Sequence, residues 1–167
     1  MNFGKRLVAT LGLCGILAMS SQATAGVMLG GYSGYGFGVA DGLDLELNYG
    51  GTLEFRIFRK ITLGGYLDFQ KINTGSSLLT AKYMIYGGTL NYWVSPSFYL
   101  GAHGGVLKAS INGVTDVGSD AVFGGQAGVA IPFSKNVLLG AEGRYVRAAS
   151  NSSLAFAQAF GKLLLKF

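Results

Sequence analysis

Apolar and polar side chains alternate along most of this chain with a period of two, the spacing of β-strands whose two faces meet different surroundings. From Tyr49 to Phe58 one face reads Tyr49, Gly51, Leu53, Phe55 and Ile57, the other Gly50, Thr52, Glu54, Arg56 and Phe58. From Ile61 to Gln70, Ile61, Leu63, Leu67 and Phe69 oppose Thr62, Tyr66, Asp68 and Gln70. Between Val137 and Val146, Val137, Leu139, Ala141 and Tyr145 oppose Glu142 and Arg144. One face is apolar and the other carries the charge.

Two interleaved repeats count the strands. Leu29-Gly30-Gly31, Leu63-Gly64-Gly65, Leu100-Gly101-Ala102 and Leu139-Gly140-Ala141 form one series, spaced 34, 37 and 39 residues apart. Tyr49-Gly50-Gly51, Tyr86-Gly87-Gly88, Phe123-Gly124-Gly125 and Phe160-Gly161 form the other, each step 37 residues. Two motifs seen four times each predict eight strands in four hairpins. Short polar or proline-marked turns are expected at Arg59-Lys60, Ser95-Pro96-Ser97 and Ser134-Lys135-Asn136, and longer loops over 40–48, 72–80, 111–120 and 149–152. Alternating tight turns and loops are the mark of an up-and-down barrel.

Alternation fits both a soluble barrel, apolar inside, and a membrane barrel, apolar outside. Charged residues make up 13% of the chain, about half the usual share for a soluble protein. After residue 25 no apolar run approaches the length a spanning helix needs, so entry into a bilayer requires strands closed into a barrel. Tyr49, Tyr92, Trp93, Phe98, Phe133 and Tyr145 fall near expected strand ends, as in the aromatic girdles of membrane barrels. The expected architecture is therefore all-β, an eight-stranded antiparallel up-and-down transmembrane β-barrel.

The first residues bear on the compartment. Lys5 and Arg6 precede an apolar run from Leu7 to Met19, and Ala23-Thr24-Ala25 supplies the small residues of a cleavage site. This pattern predicts a secretory signal peptide over 1–25 and a mature barrel over 26–167. Cys14 lies inside the signal behind bulky Leu13, which argues against lipid attachment. Without it the mature chain has no thiol, so pairing and packing must hold the fold. Removing the leader leaves 11 basic against 8 acidic residues, too mild an excess to suggest nucleic acid.

An eight-stranded barrel is just wide enough for its own side chains, so no open pore is expected. Parity turns Glu54, Arg56, Asp68, Asn91, His103, Gln126, Glu142, Arg144 and Lys162 inward, where they are expected to pair with one another as a structural network, because unpaired charges in a dry interior are costly. The alternative role for these groups is a gated ion path. Gly30 to Gly38 is interleaved with Tyr32, Tyr35 and Phe37 and lacks a Gly-Lys-Ser/Thr ending, so it reads as close strand packing rather than a phosphate loop. Asp116 and Asp120 read as solvated loop residues rather than calcium ligands. No catalytic, cofactor or metal residues are assigned.

The terminal Phe167, with Leu163 and Leu165 alternating before it, resembles the assembly signal of outer-membrane barrels, read by their insertion machinery. The whole mature chain resembles the small eight-stranded outer-membrane β-barrel families, including the enterobacterial virulence-related barrels and the membrane domain of outer-membrane protein A. The resemblance implies the outer membrane of a Gram-negative bacterium, contact with its lipid and lipopolysaccharide, the barrel assembly machinery as a partner during insertion, and a monomer. It also implies a structural or surface-interaction role, with a lipid A-modifying enzyme of the same fold as the alternative and a soluble periplasmic ligand-binding barrel further off. The lipid A deacylase of this fold has a histidine and a serine two residues apart. Here His103 is followed by Gly104-Gly105, and no serine stands at that place. Counting back from Phe167 turns Leu163 and Leu165 outward and Phe160 inward, against Tyr49 and Tyr86 in the repeat, so a bulge or one-residue shift is expected in the last strand.

Overall fold

The computed structural model describes residues 26–39, 45–72, 81–111, 114–150 and 154–167. The expected leader over 1–25 and the loop residues Asn73, Thr74 and Asn112 lie outside them. Eight strands follow in order: β1 (Val27–Gly38), β2 (Leu45–Phe58), β3 (Ile61–Ile72), β4 (Ala81–Trp93), β5 (Phe98–Ile111), β6 (Val114–Pro132), β7 (Val137–Ala148) and β8 (Ala155–Lys166). Each pairs antiparallel with its sequence neighbour, and β8 pairs with β1, so the sheet closes into a barrel. Closure leaves no strand edge, which lets a sheet stand in hydrocarbon with its backbone satisfied. The seam is sealed by eleven consecutive β1–β8 pairs, from Met28 with Lys166 to Gly38 with Phe156.

The tight turns lie where polar residues and proline interrupt the alternation. Val94 and Ser95 donate backbone N–H groups to the Phe98 carbonyl, and Phe133 and Ser134 do the same to Val137. Ser95 Oγ also accepts from Phe98 N at 3.1 Å. The other end departs from expectation. Residues 45–48, read as loop, belong to β2, and most of the expected third loop is strand, because β6 begins at Val114 and pairs with Ile111. The β5–β6 ribbon continues through a register shift between Ala109 and Ser110. Beyond the bilayer, a hairpin satisfies its own backbone, so strand pairing does not stop where the apolar belt does.

Alternation resolves into inside and outside. Leu53, Leu67 and Leu139 face outward and are exposed, as are Leu29, Leu63, Leu90, Leu100 and Val129. The same strands turn Thr52, Glu54, Thr62, Asp68, Asn91 and Glu142 into the closed interior. Exposed aliphatic side chains around a closed sheet form a surface made for lipid.

Three expectations about individual side chains are corrected. Trp93 does not belong to an outer girdle: it is buried, donates Nε1–H to Thr62 Oγ1 at 2.7 Å, and packs on Tyr99 at 4.9 Å between ring centroids. Phe58 leaves the inward face at a register shift between Arg56 and Phe58 and is exposed beside the first turn. Phe160 does point inward, yet β8 holds unbroken register with both neighbours, so the expected bulge is not there. Its ring stacks on Tyr32 at 4.5 Å, and this packing fixes the parity that the repeat misstates.

Candidate functional site

The interior is layered, and the layers follow from which residues share a strand face. Toward the loops, Ile85, Leu107, Val122, Val146, Ala148, Phe156 and Tyr66 form one apolar cluster. Toward the turns, Trp93, Tyr99, Ala130 and Leu138 form another. Between them on the same strands lie Thr89 and Asn91 of β4, His103 of β5, Gln126 of β6, and Glu142 and Arg144 of β7. Large rings fit because glycine occupies the facing position: a Cβ on Gly128 would come within 2.5 Å of the Tyr99 ring, and one on Gly50 within 2.6 Å of Tyr32. A polar belt is thus held between two greasy plugs.

Within the belt, Lys162 Nζ lies 2.6 Å from Glu54 Oε1 and 3.1 Å from Glu142 Oε2. Arg144 Nη2 meets Glu142 Oε1 at 2.8 Å, and Tyr99 donates its hydroxyl to Glu142 Oε2. Thr52 Oγ1 donates to Glu54 Oε1 at 3.3 Å. Two carboxylates and two cations cancel, which is how charges persist in a medium that would otherwise penalise each by several kcal/mol. Arg144 is further enclosed by rings, its guanidinium 4.6 Å from the centroid of Tyr66, 5.1 Å from Phe160 and 5.6 Å from Tyr32. Such contacts favour a desolvated cation by about 2 kcal/mol.

The other expected inward groups are placed separately. Asp68 accepts from Gln158 Nε2 at 2.6 Å; that same nitrogen lies 3.3 Å from Gln70 Oε1, while Gln70 Nε2 donates to the Glu46 carbonyl at 2.8 Å. Asn91 Oδ1 accepts from Gln126 Nε2 at 2.6 Å. His103 is buried with its ring edge against Tyr66 at 5.9 Å between centroids. Arg56 stands apart at the turn end, half-buried, with its guanidinium 4.8 Å above the Trp93 ring. Asp120 lies in β6 and accepts from the backbone N–H and Oγ of Ser150. Tyr99 and Gln158, both central to the contacts, were missed. Parity could have found them, since Tyr99 shares a face with His103, and Gln158 with Lys162.

An apolar exterior on a closed sheet, with an ion-paired polar belt inside it, defines a membrane-spanning β-barrel. No protein-family model and no curated protein sequence matches the chain. Solved structures do match its fold. Neisserial surface protein A superposes with a TM-score of 0.63 at 17% identity, covering 86% of this chain and 97% of that one. The N-terminal β-barrel domain of Pseudomonas aeruginosa OprF gives 0.54 at 12% identity, over 87% and 100% of the two chains. The attachment invasion locus protein Ail of Yersinia pestis gives 0.53 at 16% identity, over 87% and 100%. The chain has the fold of the small eight-stranded bacterial outer-membrane β-barrels.

Proposed function

We propose that this protein is an integral outer-membrane barrel, with its tight turns in the periplasm, that serves a structural or surface-interaction role and conducts no solute. The observation that carries this reading is the layered interior: Trp93 and Tyr99 on one side and Phe156 and Ile85 on the other enclose a charge-balanced belt. Eight strands leave little room beyond those side chains. Glu54, Glu142, Arg144 and Lys162 act as a structural network, while Asp68, His103 and Arg56 fill polar positions around it. Leu163, Leu165 and Phe167, all exposed on the outer side of the closing strand, serve as the signal for the assembly machinery. The surrounding partners are outer-membrane lipid and lipopolysaccharide, and the working form is a monomer.

Fractionation and conductance test this together. The protein should sediment with outer membranes, resist carbonate extraction, and change gel mobility when heated before loading. In planar bilayers it should give no steady conductance. Recovery as a soluble periplasmic protein, or a stable ohmic channel from purified barrels, would overturn the reading.

A further inference from the structure

The turn end of the barrel carries an uneven charge. Arg56, Arg59, Lys60, Lys135 and Lys166 gather there, from the end of β2, two of the tight turns and the end of β8. Among the described residues no Asp or Glu side chain lies nearer the turns than Glu54, and Glu54 is held by Lys162. The other end mixes signs, as in the Lys71–Glu46 pair at 2.8 Å.

All of these cations except Lys135 line two adjoining hollows at the mouth. One, of about 390 Å³, is bordered by Arg56, Arg59 and Lys166 together with Met28, Pro132 and Leu138. The other, of about 340 Å³, shares Arg56 and Arg59 and adds Lys60 and Trp93. Arg56 is anchored over the indole of Trp93, and its buried Nε has no hydrogen-bond partner in the protein. Lys60 reaches the outer wall instead, with its ammonium 5.8 Å from the ring centroid of Tyr92, an outward residue. Phe58, Ile131, Phe133 and Phe167 are exposed at the same level, where the apolar belt ends. Cations on both sides of a wall, at the depth where apolar surface gives way to turns, match one chemistry: a phosphate attached to acyl chains.

We infer that the turn-end mouth binds the phosphate group of an anionic glycerophospholipid in the leaflet that meets the turns. Arg56 and Arg59 take the phosphate through guanidinium N–H donors, Lys60 and Lys166 add point charge, and the acyl chains continue along Phe58 and Tyr92 on the wall that Lys60 reaches. The inference rests on the membrane-barrel reading above.

The test uses the whole folded barrel in mixed micelles holding equal phosphatidylglycerol and phosphatidylcholine, followed by exchange into plain detergent and measurement of the lipid that stays bound. Phosphatidylglycerol should be enriched. Arg59→Gln and Lys166→Gln, exposed positions outside the polar belt, should each lower that enrichment about fivefold, the factor expected for one basic residue at an anionic surface. Lys71→Gln with Lys82→Gln at the loop end should leave it unchanged. Equal retention of the two lipids, or enrichment that survives the Arg59 and Lys166 changes, overturns the inference. Loss of enrichment on adding inorganic phosphate equimolar with lipid also overturns it, because the site would then take the free ion. A protein whose gel mobility is the same heated and unheated overturns the barrel reading itself, whereas a heat-modifiable one with equal retention overturns only the lipid site.

Discussion

Lys162 ties two carboxylates, Glu54 and Glu142, and so removing it strands both in a dry interior. Lys162→Met should cost about 3–5 kcal/mol, the usual penalty for breaking a buried pair from one side. Glu54→Gln added to that variant should recover part of the loss, read from urea midpoints of barrels folded in lipid vesicles. Glycine gives a second contrast at this scale, within one strand. Gly128 faces the Tyr99 ring, so Gly128→Ala should cost about 1–3 kcal/mol by overpacking. Gly125 faces outward, with its nearest atom outside its own neighbours 3.8 Å from a built Cβ. There the same substitution should be neutral or stabilise by roughly 0.5 kcal/mol through the unfolded chain.

At the scale of the strand, the same side chain has a different cost according to depth. Leu53 lies within β2, outward and paired across to Leu29 and Gly65. Phe58 stands at the strand's end past a register shift. Leu53→Arg should therefore destabilise by about 2–4 kcal/mol and Phe58→Arg by about 0–1, since the penalty for a lipid-facing cation falls from midplane to interface. Comparable unfolding midpoints for the two variants would contradict the placement of the apolar belt. Much of the strand plan was legible in the chain: the parity of β2, β3 and β7 could be read directly, because one buried polar face leaves a period-two imprint. The β5–β6 ribbon was not legible, because Val114 to Asp120 carries turn-forming residues whose strand pairing depends on the partner strand opposite.

At the scale of the molecule, closure is the step on which the rest depends. β8 contributes pairs to β7 and β1 simultaneously, and residues 163–165 supply both. A chain truncated after Lys162 should fail to give a heat-modifiable form even when refolded from urea into detergent, where no assembly machinery is present. Leu165→Asp should refold more readily in detergent than it assembles in cells, if the outward residues of β8 are read by that machinery. A Leu165→Asp barrel that assembles in cells as readily as it refolds in detergent would remove the role assigned to Leu163, Leu165 and Phe167.

The sequence by itself determined the number of strands, the tight turns and the inward parity of Glu54, Asp68, His103, Glu142 and Arg144, while Asn48, Thr89 and Gln158 went unread. It could not determine which of those groups meet. Lys162 and Glu54 are 108 residues apart, and Gln158 and Asp68 are 90 apart, and only the shear and closure of the sheet bring them to one level. The tertiary structure likewise decided that Phe160 turns in on Tyr32 and that Trp93 caps the interior rather than the membrane surface. Both are packing outcomes: a large ring goes where the opposite wall leaves volume, and that volume exists only once all eight strands have closed.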